Sequence, residues 1–349
     1  MLSQANQGQN TGHRIPRNID SNPLKTMNEH NKRFELVSLG EAMLRMSVPI
    51  GARLDDARAL DVEIGGAEGN LCVALARLGR RCGWVSRLPD HALANAVLRT
   101  YRSDGVDVSA VRRVPGERLG TYFIEYATQP RAIQVIYDRA DSAAAHMTAD
   151  DIDWGYLLDT RVLHLTGITA ALSDGCYAML AEAIRRARAA GVAVSFDVNY
   201  RAKLWDAHTA GARLRPLVAE ADILFCKSTD ATNLFGIAGE QRALLAGLQA
   251  LTRARAVFST FGEQGAALLV DGELIAEPAL PVQIIDRIGS GDAFAAGALD
   301  GWLDGDVRVG LRRGVALAAI ALSQHGDRVL SSRAELEAVM SRQHRDVAR

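Results

Sequence analysis

An α/β protein with a mostly parallel central sheet and a small separate sheet is the fold class that this 349-residue sequence predicts. Three observations carry it. A strand, a helix and a second strand follow one another within the short span 34–86. Strands and helices then alternate again from about 161 to 260. Between these stretches, Gly120–Asp138 breaks the alternation with two extended runs of its own, the pattern of a hairpin.

The elements read in order as follows. Phe34–Leu39 is an opening strand that ends at Gly40-Glu41. Met43–Val48 is a short extended run, and Ala59–Ile64 alternates as a half-exposed strand before Gly65-Gly66 stops it. Leu71, Ala74, Leu75 and Leu78 recur at helical spacing, with Gly79 closing the helix and Cys82–Ser86 forming the next strand. Thr121–Tyr126 and Ala132–Tyr137 flank a Gln129-Pro130 turn signal; with 43–64 they predict a small lid sheet standing outside the main one.

Farther on, Arg161–Leu165, Val192–Phe196, Asp222–Cys226 and Ala256–Thr260 read as buried strands. Helical runs lie near 174–190 and up to about 252. Asp271-Gly272 between Ala266–Val270 and Glu273–Ala276 predicts a hairpin, hence an antiparallel edge. Two helices, from Asp292 to about Leu303 and from about Val307 to Ser323, close the domain.

Composition narrows the function classes. Lys plus Arg number 40 against 41 Asp plus Glu, a net charge of -1 with no long basic block, which argues against nucleic acid and anionic membranes as partners. No segment has the unbroken apolar length of a membrane span. Cys72, Cys82, Cys176 and Cys226 lie in apolar surroundings without metal-ligand spacing, so reduced thiols in a cytoplasmic protein are expected. Residues 1–33 lack a secretory core and read as a disordered leader, native or appended; 34–340 form the domain, and 341–349 are a polar tail.

The chemistry is concentrated in Asp286-Arg-Ile-Gly-Ser-Gly-Asp292. Gly289, Ser290 and Gly291 put small residues ahead of an aspartate at the start of an apolar helix, so unpaired amides and a carboxylate converge. The amides suit a phosphoryl group and Asp292 suits a base for an attacking hydroxyl. A capping aspartate after a glycine turn has the same local pattern. Likewise Gly65-Gly66 reads as a hinge or a strand-ending turn, Asn70 as a ligand or a cap, and Arg201 as a binding or a solvated cation. Tyr122 and Tyr126 share one strand face and could pack the lid, while His164 reads as a satisfied core histidine.

Gly65-Gly-Ala-Glu-Gly-Asn70 before an Ala- and Leu-rich helix, followed in order by the Asp286–Asp292 segment, resembles the two signatures of the ribokinase-like (PfkB) carbohydrate kinases, from about Phe34 to about Val339. Within them the chain looks most like 2-keto-3-deoxygluconate kinases, with fructokinases next; Gly120-Thr-Tyr122, His164–Thr169 and Asp197-Val-Asn-Tyr-Arg201 add to the likeness. The resemblance implies a three-layer α/β/α sandwich with a nine-stranded or similar sheet and a small β lid. It implies ATP-dependent phosphorylation of a sugar-acid hydroxyl, with Mg2+ accompanying the nucleotide and a monovalent cation such as K+ in some relatives.

By position, Asp292 resembles the catalytic base and Gly289, Ser290 and Gly291 the anion hole. Gly65, Gly66, Asn70, Tyr122, Arg201 and Asp327 fall on the sugar side; Lys227, Thr260, Gly262, Gly265 and Asp286 fall on the nucleotide side, and Asp230 is an indirect metal contact. The resemblance further implies a homodimer through the lid, with Ile64, Ile124, Ile133 and Val135 as candidate contacts.

Three positions depart from the pattern. Lys227 and Asp230 stand where the family has Asn or Ser and, three residues later, Glu; Ile124 stands where keto-deoxygluconate kinases carry a carboxylate-binding arginine; Arg287 replaces a small residue. Ile124 keeps a neutral-sugar kinase such as a fructokinase open as an alternative, and Lys227 with Arg287 keeps open a non-catalytic nucleotide- or sugar-binding regulator.

Overall fold

The computed structural model describes residues 32–128 and 130–341; the leader, Gln129 and the end of the polar tail lie outside the described residues. The strands are β1 (Phe34–Leu39), β2 (Met43–Val48), β3 (Asp61–Gly65), β4 (Cys82–Val85), β5 (Arg87–Pro89), β6 (Arg112–Val114) and β7 (Thr121–Glu125). They continue as β8 (Gln134–Asp138), β9 (Thr160–Thr166), β10 (Ala193–Asp197), β11 (Ile223–Phe225), β12 (Ala256–Thr260), β13 (Ala266–Val270) and β14 (Glu273–Glu277).

The central sheet has eight strands in the order β14-β13-β12-β11-β10-β9-β1-β4. Every pairing from β12 to β4 is parallel, and β13 and β14 add the antiparallel edge. Its hairpin turns on Asp271 and Gly272 at φ 49° and 76°, the left-handed pair that an Asp-Gly turn supplies.

Alternation along each strand builds two cores. Leu36, Val162, Ile223, Phe258 and Leu268 point into one, which also buries Leu71 and Leu75 of helix Ala67–Arg77, Phe294 and Leu299 of helix Ser290–Asp304, and Leu317 of helix Val307–Leu322. Val37, Leu163, Phe196, Leu224 and Val257 point into the other, packed on Leu180 of helix Asp174–Ala189 and Leu214 of helix Ala207–Ala219. Both sheet faces are covered, the three-layer α/β/α sandwich; each fully buried Leu or Phe contributes roughly 1.5–3 kcal/mol of transfer free energy.

A second sheet, in the order β3-β2-β7-β8, forms the lid. The pairs Gly65–Met43, Glu63–Arg45 and Tyr122–Arg45 fix which side chains share a face. One face, with Met43, Tyr122, Ile124 and nearby Tyr126, is buried within the chain, and Val135 packs onto it. This corrects the lid contacts expected from sequence: Ile124 is 0% exposed, Ile64 is buried in the main core, and only Ile133 of the four is exposed. The outward row is instead Val62, Met46, Phe123 and Ile136, aligned across all four strands. With a period of two, a residue in step with Tyr122 cannot face outward.

Strands β5 and β6 make a two-stranded parallel sheet that the sequence reading does not foresee. Three residues each, with arginines in both, are too short to show a period. Helices Ala92–Ser103, Ala207–Ala219 and Arg333–Met340 are also additions, the second carrying Gly211 and Pro216 inside it.

Strand β1 lies between β4 and β9, next to the sheet edge, so the chain runs from β1 outward to β4 on one side and later to β9 on the other. Such a reversal opens a crevice at the carboxyl ends of the strands. Gly40 follows β1 and Thr166 ends β9, placing both on its rim.

Candidate active site

Helix Ser290–Asp304 begins at this end of the sheet, and the turn before it depends on Gly289. Its φ is +83°, and a Cβ there would stand 2.0 Å from the carbonyl oxygen of Asp327. Only glycine tolerates both conditions. Ala293 N–H makes the first bond back, to Gly289 O at 2.9 Å. Among the described residues, no intrachain acceptor takes the amides of Ser290, Gly291 or Asp292. A Cβ on Gly291 would meet nothing within 4 Å, so the free amides border open space. The Ser290 hydroxyl is turned back to Arg287 O at 3.0 Å. The result is a bare helix N-terminus able to hold an anion.

Asp292 occupies the first turn, 9% exposed. Asn70 Nδ2 donates to its Oδ2 at 2.8 Å across 222 residues of sequence. Burial drives the carboxyl upward from the ordinary 3.8 to about 7, with the charges of Asp327 and Glu68 acting in the same direction and Asn70 and Arg201 opposing them. A base poised near neutrality is what proton removal from an alcohol requires. Asn70 Oδ1 is buried without a hydrogen-bond partner among the described residues, which leaves an acceptor for a substrate hydroxyl.

The double glycine closes in beside it. A Cβ at Gly65 would lie 2.1 Å from Tyr122 Oη and 2.4 Å from Asp327 Oδ2, and one at Gly66 would lie 2.2 Å from Glu41 O. Tyr122 Oη donates to Asp327 Oδ2. Gly65, Tyr122 and Asp327 therefore meet at one point, while Asp327 also shapes the turn at Gly289.

The remaining sequence-derived residues are more dispersed. Asp286 is buried, accepting from Ile288 N at 3.1 Å, Gly326 N at 3.3 Å, Tyr126 Oη and Arg45 Nη2. Arg287 is exposed, so the brace on Asp286 is Arg45. Arg201 is exposed, yet its charge is felt by both Asp292 and Asp197. Thr260 ends β12, Gly262 and Gly265 have φ of +61° and +94°, and Lys227 is exposed just after β11. No hydrogen bond among the described residues joins these four to Asp292 or Asn70. They form a separate rim along the ends of β11 and β12.

Two acids, Glu68 and Asp197, and one buried cation, Arg45, escaped the sequence reading. Glu68 accepts from Thr166 and Thr169 hydroxyls, both at 2.6 Å, and burial raises its pKa. Asp197, ending β10, is pushed to about 8 by burial and next by the Asp292 charge. Tyr126 and Arg45 join Asp286; an arginine inside the apolar run Met43–Val48 was the available signal. His164 donates to or accepts from Ser195 Oγ at 2.9 Å, and burial lowers its pKa to about 3, so it is a neutral core residue.

Among the described residues, no group of three or more His, Cys, Asp or Glu could cage a metal ion. That fits a Mg2+ carried by nucleotide phosphates, which needs one or two protein carboxylates. Asp230, half-buried in the first turn of helix Ser228–Phe235, is raised by burial and held down by Lys227.

Residues 33–334 match the pfkB family of carbohydrate kinases. The chain is 35% identical over 307 residues to the 2-dehydro-3-deoxygalactonokinase of Haloferax volcanii, covering 88% of this chain and 96% of that protein. It is 30% identical to the 2-dehydro-3-deoxygluconokinase of Thermoproteus tenax, covering 84% and 90%. Its fold superposes on the crystal structure of the 2-dehydro-3-deoxygluconokinase of Thermotoga maritima with a TM-score of 0.83 at 31% identity, covering 88% of this chain and 99% of that one.

Proposed function

This chain belongs to the pfkB family of carbohydrate kinases, and we propose that it phosphorylates a 2-keto-3-deoxy sugar acid with ATP, 2-keto-3-deoxygluconate to its 6-phosphate or the galactonate epimer. The observation that carries the chemistry is the convergence of Asp292, bonded to Asn70, with three unclaimed amides at one helix terminus. Asp292 takes the proton as the substrate oxygen attacks in line, and the amides of Ser290, Gly291 and Asp292 hold the transferring phosphoryl group. Asn70 orients both the base and the hydroxyl. Gly65, Gly66, Tyr122 and Asp327 wall the sugar, and Arg201 supplies the charge for its carboxylate.

Thr260, Gly262, Gly265 and Lys227 take the nucleotide at the strand ends, and Asp286 frames the turn before helix Ser290–Asp304. Asp230 and Asp197 are the carboxylates available to Mg2+, which neutralises phosphate charge when bound. A monovalent cation such as K+ beside Asp286 is a separate expectation, read by activation on adding K+ to a Na+ buffer.

Phosphorylation of 2-keto-3-deoxygluconate, 2-keto-3-deoxygalactonate, fructose and ribose in one assay tests the reading. Higher kcat/KM for fructose would sink the sugar-acid assignment. That neutral-sugar alternative is favoured by one observation: Ile124 fills the inner lid face where a carboxylate-binding arginine is expected. The same proposal includes a homodimer through the row Val62, Met46, Phe123 and Ile136, of which Val62 and Ile136 are 60% and 51% exposed. Sedimentation at micromolar concentration should give a dimer and Phe123→Glu a monomer; a monomeric wild type rejects it.

A further inference from the structure

Arg45 lies on lid strand β2 and is 1% exposed; besides Glu63 of the neighbouring lid strand, 3.3 Å from its Nε, it holds two carboxylates that lie 241 and 282 residues away in sequence. Nη2 donates to Asp286 Oδ2 and Nη1 to Asp327 Oδ1. Two of the lid tyrosines complete the pattern, Tyr126 on Asp286 and Tyr122 on Asp327. Each carboxylate therefore receives one arm of the guanidinium and one phenol, all four donors from the lid.

The same two residues frame the anion cradle, Asp286 through its second carboxylate oxygen and Asp327 through its backbone carbonyl. Asp286 Oδ1 accepts from Ile288 N at 3.1 Å, and the backbone carbonyl oxygen of Asp327 stands 2.0 Å from where a Cβ on Gly289 would sit, beside the residue whose φ of +83° starts the catalytic helix. Neither carboxylate has another arginine or lysine ion-pair partner among the described residues. Swinging the lid away would strip both of their counter-charge at once, in a place with little water to replace it.

We propose that Arg45 is a positioning residue that makes lid closure and assembly of the phosphoryl cradle a single event. It rests on the phosphoryl-transfer reading of this site. The planar guanidinium spans two carboxylates at fixed geometry, which a lysine ammonium does not. With the clamp set, the loop of Gly289 is locked and water is shut out together; with it broken, the cradle forms without a sealed lid and the phosphoryl group reaches water.

The test compares wild type with Arg45→Met, Arg45→Lys and Tyr126→Phe. Hydrogen exchange of the ligand-free protein is followed in 43–48 and 121–126, with β9 and β10 as the fold control. Arg45→Met should speed exchange in both lid segments at least tenfold and leave β9 and β10 protected. It should also lower kcat about a hundredfold with KM for ATP within threefold, and raise the ratio of ADP to sugar phosphate formed. Arg45→Lys should restore less than half of kcat. Unchanged lid exchange, or full turnover with tight coupling, overturns the proposal.

If Arg45→Met loses β9 and β10 protection, Tyr126→Phe decides, since it keeps every charge: faster lid exchange supports the clamp and wild-type exchange rejects it. Should the wild-type protein phosphorylate no sugar acid, the substrate reading fails, while the exchange measurement still decides the clamp.

Discussion

Helix Ser290–Asp304 carries a buried aspartate near each end, and the protein treats the two in opposite ways. Asp300 is 0% exposed and surrounded by guanidinium: Arg80 at 2.7 Å, Arg313 at 2.7 Å and Arg333 at 2.5 and 2.7 Å. Asp292, about 12 Å away along the axis, receives one neutral amide. The chain plainly has the means to saturate a buried carboxylate and does so where helices join. At Asp292 it withholds them. Asp292 keeps a raised pKa and spare acceptor capacity, and instability is accepted there in exchange for a base.

Removing the unpaired member gives the largest expected effect. Asp292→Asn should lower kcat on the order of a thousandfold, measured under saturating ATP and sugar acid. The sign of the stability change is opposite. A folded pKa near 7 against the ordinary 3.8 means the native carboxyl holds its proton longer, so its ionisation costs stability as pH rises through that window. At pH 8 the ligand-free Asp292→Asn protein should therefore be more stable than wild type, by a few kcal/mol at the upper end. A destabilised variant would remove the contrast with Asp300.

The saturated member should behave in reverse. Asp300→Ala leaves three arginines facing a void and should cost about 3–5 kcal/mol in urea unfolding, with kcat per folded molecule within twofold of wild type. A large fall in kcat would mean the two ends are coupled.

pH profiles sharpen the comparison at smaller amplitude. kcat/KM should fall tenfold per unit below about pH 7 as Asp292 protonates. Asn70→Ala removes the interaction that favours the charged form, so its acid limb should move upward by about one unit. Arg201→Met should move the limb upward by less, because Arg201 is exposed and screened. It should also raise KM for the sugar acid several-fold more than KM for fructose; equal changes would deny it a carboxylate contact.

The alternating runs that became the central strands, the Asp271-Gly272 hairpin and the glycine turn before Asp292 were legible because each is local. Period-two burial, left-handed φ and a bare helix start are written within a few neighbouring residues. Strands β5 and β6 were not, being too short to carry a period; Ile124 shares the Tyr122 face of β7 by local period, but that this face is the buried one is set by what packs against it, which is not a local property.

What the sequence determined, then, is the backbone grammar and the residue able to act as a base. Its usefulness as one was decided by the tertiary structure. Burial raises Asp292 to about 7, Asn70 reaches it across 222 residues, and Arg45 binds Asp286 and Asp327 from the far lid. Desolvation and charge pairing depend on what packs around a group in space, and distance along the chain carries no information about that.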